Sequence, residues 1–152
     1  MSAFKIVVVL GLIAVAYHFW DKHQEKRELA ANTNSNGFVS MPAPTNLDTD
    51  TVIILAAENC PKEDARRADQ LAEDLGRRKV PYTRAHSANL SIPEPTPALL
   101  KRIDKVMNGP LPVVFVRGRA KSNPTLDEVL AEYQTSQRQP HGMNRQAGGN
   151  RR

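Results

Sequence analysis

TVIILAAENCPKEDARRADQLAEDLG, running from Thr51 to Gly76, is the stretch on which the fold turns. Its opening, Thr51 to Ala57, is apolar and β-branched without alternation, the pattern of a strand buried on both faces. Ala65, Ala68, Leu71, Ala72 and Leu75 then recur at helical spacing with charges between them. Pro61 suits the first position of that helix, with Cys60 as the residue flanking it. Gly76 can end or loosen it. Cys60 is the one cysteine among 152 residues, which excludes an intrachain disulfide framework and a Cys-only zinc site. A lone thiol here is either a reactive group or a small buried residue without chemistry.

Working downstream, VPYTRAHS (Val80 to Ser87) predicts a second strand. Strand, helix and strand in this span form a βαβ unit, so the two strands should be parallel. Thr96 caps and Pro97 opens a second helix, with Leu99, Leu100, Ile103, Val106 and Met107 on its apolar face. Asn108-Gly109 stops it. LPVVFVRGRAK predicts a strand, a tight turn near Arg117-Gly118 and a partner strand. Thr125-Leu126-Asp127-Glu128 is a capping box that starts a third helix, with Leu126, Val129, Leu130 and Tyr133 facing inward. The predicted order is β-α-β-α-β-β-α over residues 51–134, an α/β domain.

This order resembles glutaredoxins and the wider thioredoxin fold over Thr51 to about Tyr133. Four features carry the resemblance: Cys60-Pro61-Lys62-Glu63 after the first strand, Val80-Pro81-Tyr82 leading the second, Pro112 before VVFVRGR, and the capped helix TLDEVLAEY. The resemblance implies that Cys60 is the candidate nucleophile, with Pro61 beside it and Pro112 as the candidate cis proline. A thiolate at a helix N-terminus is favoured by unpaired N–H groups and the positive end of the dipole, and Lys62 adds charge of the same sign. Glu58, Glu63 and Asp64 oppose ionisation. Glu63 also stands where a second motif cysteine would, leaving only monothiol chemistry. Glutathione is poorly supported. Glu58-Asn59 replace a basic residue before the cysteine, Pro110-Leu111-Pro112 replace Thr-Val-Pro, and Ser122-Asn123-Pro124 replace a Gly-Gly whose backbone would approach the ligand. Pro124 has no N–H to donate. No cofactor is expected.

Upstream, IVVVLGLIAVAYHFW (Ile6 to Trp20) carries no Asp, Glu, Lys or Arg. As a helix it spans roughly 22 Å, and Phe4 with a snorkelling Lys5 extends it toward the ~30 Å of a bilayer core. Tyr17, Phe19 and Trp20 crowd one end as an interfacial belt would. The expectation is a transmembrane anchor over residues 1–20, embedded through residues 4–20. A cleaved signal peptide, with Ala14-Val15-Ala16 as its cleavage site, is the rival. The Lys and Arg count puts the following side in the cytoplasm, whereas the short leading segment argues for the opposite orientation. We expect a single-pass protein with its domain on the non-cytoplasmic side. Residues 21–50 read as a charged juxtamembrane segment and a flexible linker, since NTNSNGFVSMPAPTNLDTD has no periodicity.

Net charge is +5. The segment from Gln134 onward holds Arg138, Arg145, Arg151 and Arg152 and no acid, so residues 135–152 read as a disordered basic tail. Four scattered arginines are too sparse for a nucleic-acid site, and RRADQLAEDLGRRK has interleaved acids. The four histidines form no helical i, i+4 pair, so no metal set is expected. His86 near the end of the second strand could serve Cys60 as a base, although no motif places it there. Two functions follow. One is a thioredoxin-fold interaction module with a protein partner in a membrane-associated assembly, its redox chemistry lost. The alternative is a monothiol thiol-disulfide oxidoreductase acting through Cys60.

Overall fold

The computed structural model describes the backbone of residues 3–56 and 62–138, and side chains within 12–24, 26–56 and 62–138. Among the described residues nine elements follow in chain order: α1 (Ala3–Asn32), β1 (Val39–Ser40), β2 (Val52–Leu55), α2 (Lys62–Arg77), β3 (Tyr82–Ala85), α3 (Pro97–Met107), β4 (Val113–Val116), β5 (Arg119–Ser122) and α4 (Leu126–Arg138). The strands form one sheet in the order β1-β5-β4-β2-β3. β2 and β3 are parallel, Val52 opposite Tyr82, as a crossover through a helix requires. β4 is antiparallel to both β2 and β5.

Every residue of β2 and β4 is buried, so the sheet centre is covered on both faces. The alternation of side chains divides the core in two. Val52, Ile54, Val114 and Val116 face α2 and α4, meeting Ala68, Leu71, Leu75 and Val129. Ile53, Leu55, Val113 and Phe115 face the other way, toward Val106, Ile103 and Met107 of α3. At roughly 1.5–3 kcal/mol for each fully buried aliphatic or phenyl side chain, these two layers are the main stabilising contribution.

Local chemistry sets the boundaries. The Thr96 hydroxyl accepts from the Leu99 N–H at 3.2 Å, and Pro97 follows it as the first helical residue. Thr125 and Glu128 cap α4 reciprocally: Thr125 N–H donates to Oε2 at 2.9 Å, and Glu128 N–H to Oγ1 at 3.4 Å. The β4–β5 turn has two left-handed residues, Arg117 (φ 43°) and Gly118 (φ 78°), the geometry that suits the twist of a two-residue hairpin. α2 runs through Gly76; its end is made by left-handed Lys79, with Val80 N–H donating to the Leu75 carbonyl at 3.0 Å. Leu100, expected on the inner face of α3, is 46% exposed.

The expected architecture is corrected in two respects. First, among the described residues no helix is long and apolar enough to cross a membrane. The expected transmembrane anchor, membrane contact through residues 4–20 and single-pass localisation are corrected accordingly. The apolar run of α1 ends at Trp20. α1 then continues through the charged run from Asp21 and reaches α3, where Lys101 Nζ lies 3.7 Å from Asp21 Oδ2. Second, the sheet has five strands rather than four. The segment read as a flexible linker supplies β1, with Val39 opposite Ala120 of β5. Phe38, Val39 and Met41 of this segment are buried, Phe38 completely. At the other end, residues 135–138 of the expected tail belong to α4, and the rest of the tail lies outside the described residues.

Candidate functional site

Cys60 and Pro61 lie outside the described residues. Ala56, at the C-terminal end of β2, is fully buried. His86, just beyond β3, places Nδ1 3.1 Å from the Ala56 carbonyl oxygen. A carbonyl can only accept, so Nδ1 carries the proton in this bond.

The first turns of α2 approach the start of β4. Arg67 Nε donates to the Leu111 carbonyl at 3.2 Å, and the Arg67 guanidinium also pairs with Asp64 one turn earlier. Pro112 is fully buried, and the Leu111–Pro112 peptide bond is cis. The Pro112 carbonyl accepts from the N–H of Asn123, a left-handed residue (φ 46°), at 2.8 Å. Ser122 Oγ donates to the Pro110 carbonyl at 2.5 Å. Thus Pro110-Leu111-Pro112 and Ser122-Asn123-Pro124, two segments distant from the helix in sequence, are bound to each other at the end of the sheet. The backbone there is already engaged: Leu111 through a side chain, Pro110 and Pro112 through β5 and its exit.

A second polar cluster joins α4 to the residues before β1. Glu132 of α4 is 2% exposed. Its Oε2 accepts from the side-chain amides of Asn34 and Asn36, the latter at 2.9 Å. Arg119 Nε lies 3.8 Å from Oε1. Asn34 Oδ1 in turn accepts from the N–H groups of Asn36 and Phe38 at 3.1 and 2.9 Å. Lys121 Nζ bonds the Asn36 carbonyl at 3.2 Å and Glu128 Oε1 at 2.7 Å. The bond from Lys121 is the largest cause, and the Thr125 N–H the next, of a Glu128 carboxyl held below its ordinary 4.5. The one sequence signal for this cluster was position: Glu132 lies three residues beyond Val129, on the inward stripe of α4. Its companions sit in an Asn- and Ser-rich stretch that reads as coil.

A groove of about 140 Å³ opens between α1 and α3, with Leu29, Pro97 and Ala98 among its lining and Glu28, Lys101 and Arg102 at its sides. Among the described residues no group of three or more His, Cys, Asp or Glu is placed to hold a metal ion. No family model, curated protein or solved structure matches the chain.

Proposed function

We propose that this chain is a thioredoxin-like interaction module that has given up redox catalysis and works through a protein partner. The fold-level support is the order β5-β4-β2-β3, with α2 and α4 on one face and α3 on the other, as a thioredoxin-like reading requires. The observation that carries the functional half is the bond from Arg67 Nε to the Leu111 carbonyl. An extended substrate held beside Pro112 would draw on the backbone acceptor there, and this one already accepts from within the chain. Glu63 in place of a second thiol points the same way.

The test is a glutathione-coupled reduction of a small mixed disulfide, run with the full chain and with Cys60→Ser. The proposal expects equal rates. A rate that depends on Cys60 would overturn it and leave the monothiol oxidoreductase in its place. That second reading draws on one specific observation: the contact of Arg67 with Leu111 brings α2 to the segment carrying Pro112, so chemistry at the start of this helix would face that proline.

A further inference from the structure

The chain contains two Asn-Gly dipeptides, Asn36-Gly37 and Asn108-Gly109. A glycine after asparagine carries no side chain to shield its nitrogen, and its backbone rotates freely enough to bring that nitrogen onto the neighbouring amide. We propose that Asn108 is a site of spontaneous deamidation in the folded protein, and that the fold protects Asn36 from the same reaction.

The step is self-contained. The Gly109 nitrogen loses its proton and attacks Cγ of Asn108. The new C–N bond forms as the Cγ–Nδ2 bond breaks, and ammonia leaves with the proton it needs. Water then opens the resulting succinimide at either carbonyl, giving aspartate or isoaspartate at position 108. No oxidant, reductant or enzyme enters the balance.

The two sites differ in what must break first. Asn108 is exposed and is the C-cap of α3, with φ −93° and ψ 6°. The Gly109 N–H is held by a single long contact of 3.4 Å to the Val106 carbonyl. The Asn108 side chain has one partner, Asp104 Oδ1 at 2.6 Å, four residues back on the same exposed turn. Fraying that last turn breaks these two contacts and the 2.9 Å bond from the Asn108 N–H to the Asp104 carbonyl, and what then remains is the packing of Gly109 against Ser122. Asn36 is tied at its backbone N–H, its carbonyl and its side-chain amide nitrogen. Its N–H donates to Asn34 Oδ1, its carbonyl accepts from Lys121, and its amide donates to Glu132. The Gly37 N–H is itself bonded to the Asn34 carbonyl at 3.0 Å. These bonds join three parts of the fold, so freeing Asn36 means detaching the segment from α4 and β5. The products differ too: an aspartate at 36 would replace a donor to buried Glu132 with a second anion.

The experiment is peptide mapping by mass spectrometry of the full chain aged in mildly alkaline buffer, folded and in denaturant. Asn108 should convert at least about tenfold faster than Asn36 in the folded protein, and the two rates should converge in denaturant. Similar rates in the folded protein, or a faster Asn36, would overturn the proposal. So would a folded Asn108 that stays intact over the time in which the denatured chain converts. Glu132→Gln, which weakens the hold on Asn36, should raise the Asn36 rate and leave Asn108 unchanged; an unmoved Asn36 rate would remove Glu132 from the account.

Discussion

The side-chain amide of Asn36 donates to Oε2 of Glu132 over 2.9 Å, across a separation of 96 residues. This bond closes the N-terminal segment onto the last helix. Truncating Glu132 to alanine should therefore loosen both. It strands the Asn34 and Asn36 donors and leaves Arg119 without its nearby carboxylate. Loss of such a buried acceptor costs about 1–3 kcal/mol. Urea unfolding of the variant should show a lower midpoint, and an unchanged midpoint would mean that water satisfies the two amides equally well.

Phe38 tests whether residues 33–41 belong to the domain. Its ring is fully buried against the α2 and α4 side of the sheet. Phe38→Ala should cost about 3–5 kcal/mol. By the same reasoning, a chain begun at Thr51 loses Phe38, Val39 and Met41 together and should unfold well below the full chain in a thermal melt. Equal melting of the two would show that the segment packs without stabilising.

The pH dependence follows from Glu128. Its folded pKa lies below the ordinary 4.5, chiefly because Lys121 bonds the charged form. A depressed acid contributes stability above its unfolded pKa, and that contribution is lost as pH falls from about 4.5 through the folded value. Denaturation measured between neutral pH and acid should show this loss, and Glu128→Gln should show less of it. An identical acid limb in the two proteins would exclude this pair as its source.

Gly109 is required by a close approach rather than by its dihedral. A Cβ there would sit 2.3 Å from Ser122 Oγ and 2.7 Å from Ser122 Cβ. Gly109→Ala should destabilise by about 1–3 kcal/mol through overpacking. Adding Ser122→Ala should recover only part of this, since the Cβ contact remains. Full recovery in the double variant would assign the whole cost to the hydroxyl.

Much of the domain was legible because its signals are local. The Thr96–Pro97 start, the Thr125–Glu128 capping box and the Arg117–Gly118 turn each depend on residues adjacent in sequence. The buried strands were legible because β2 and β4 are apolar at every position. Cys60 and Pro61 stand outside the described residues, so the sequence argument about them is unchanged. Pro112 is placed: buried, beside Asn123 on one side and linked through Leu111 to Arg67 on the other.

The rest needed the tertiary structure. Phe38, Val39 and Met41 are a few apolar residues in an otherwise polar segment, and nothing within that segment says what they pack against. Glu132 reads as an ordinary surface acid until two asparagines from the other end of the chain are brought to it. Arg67 reads as a solvated helix charge until Leu111 appears within its reach. From the sequence alone came the element order from Thr51 onward and the caps that bound it, because hydrogen bonds over three or four residues and periodic burial are written in short stretches. The tertiary structure decided which polar groups close the fold, and added the fifth strand, because those choices depend on partners tens of residues away.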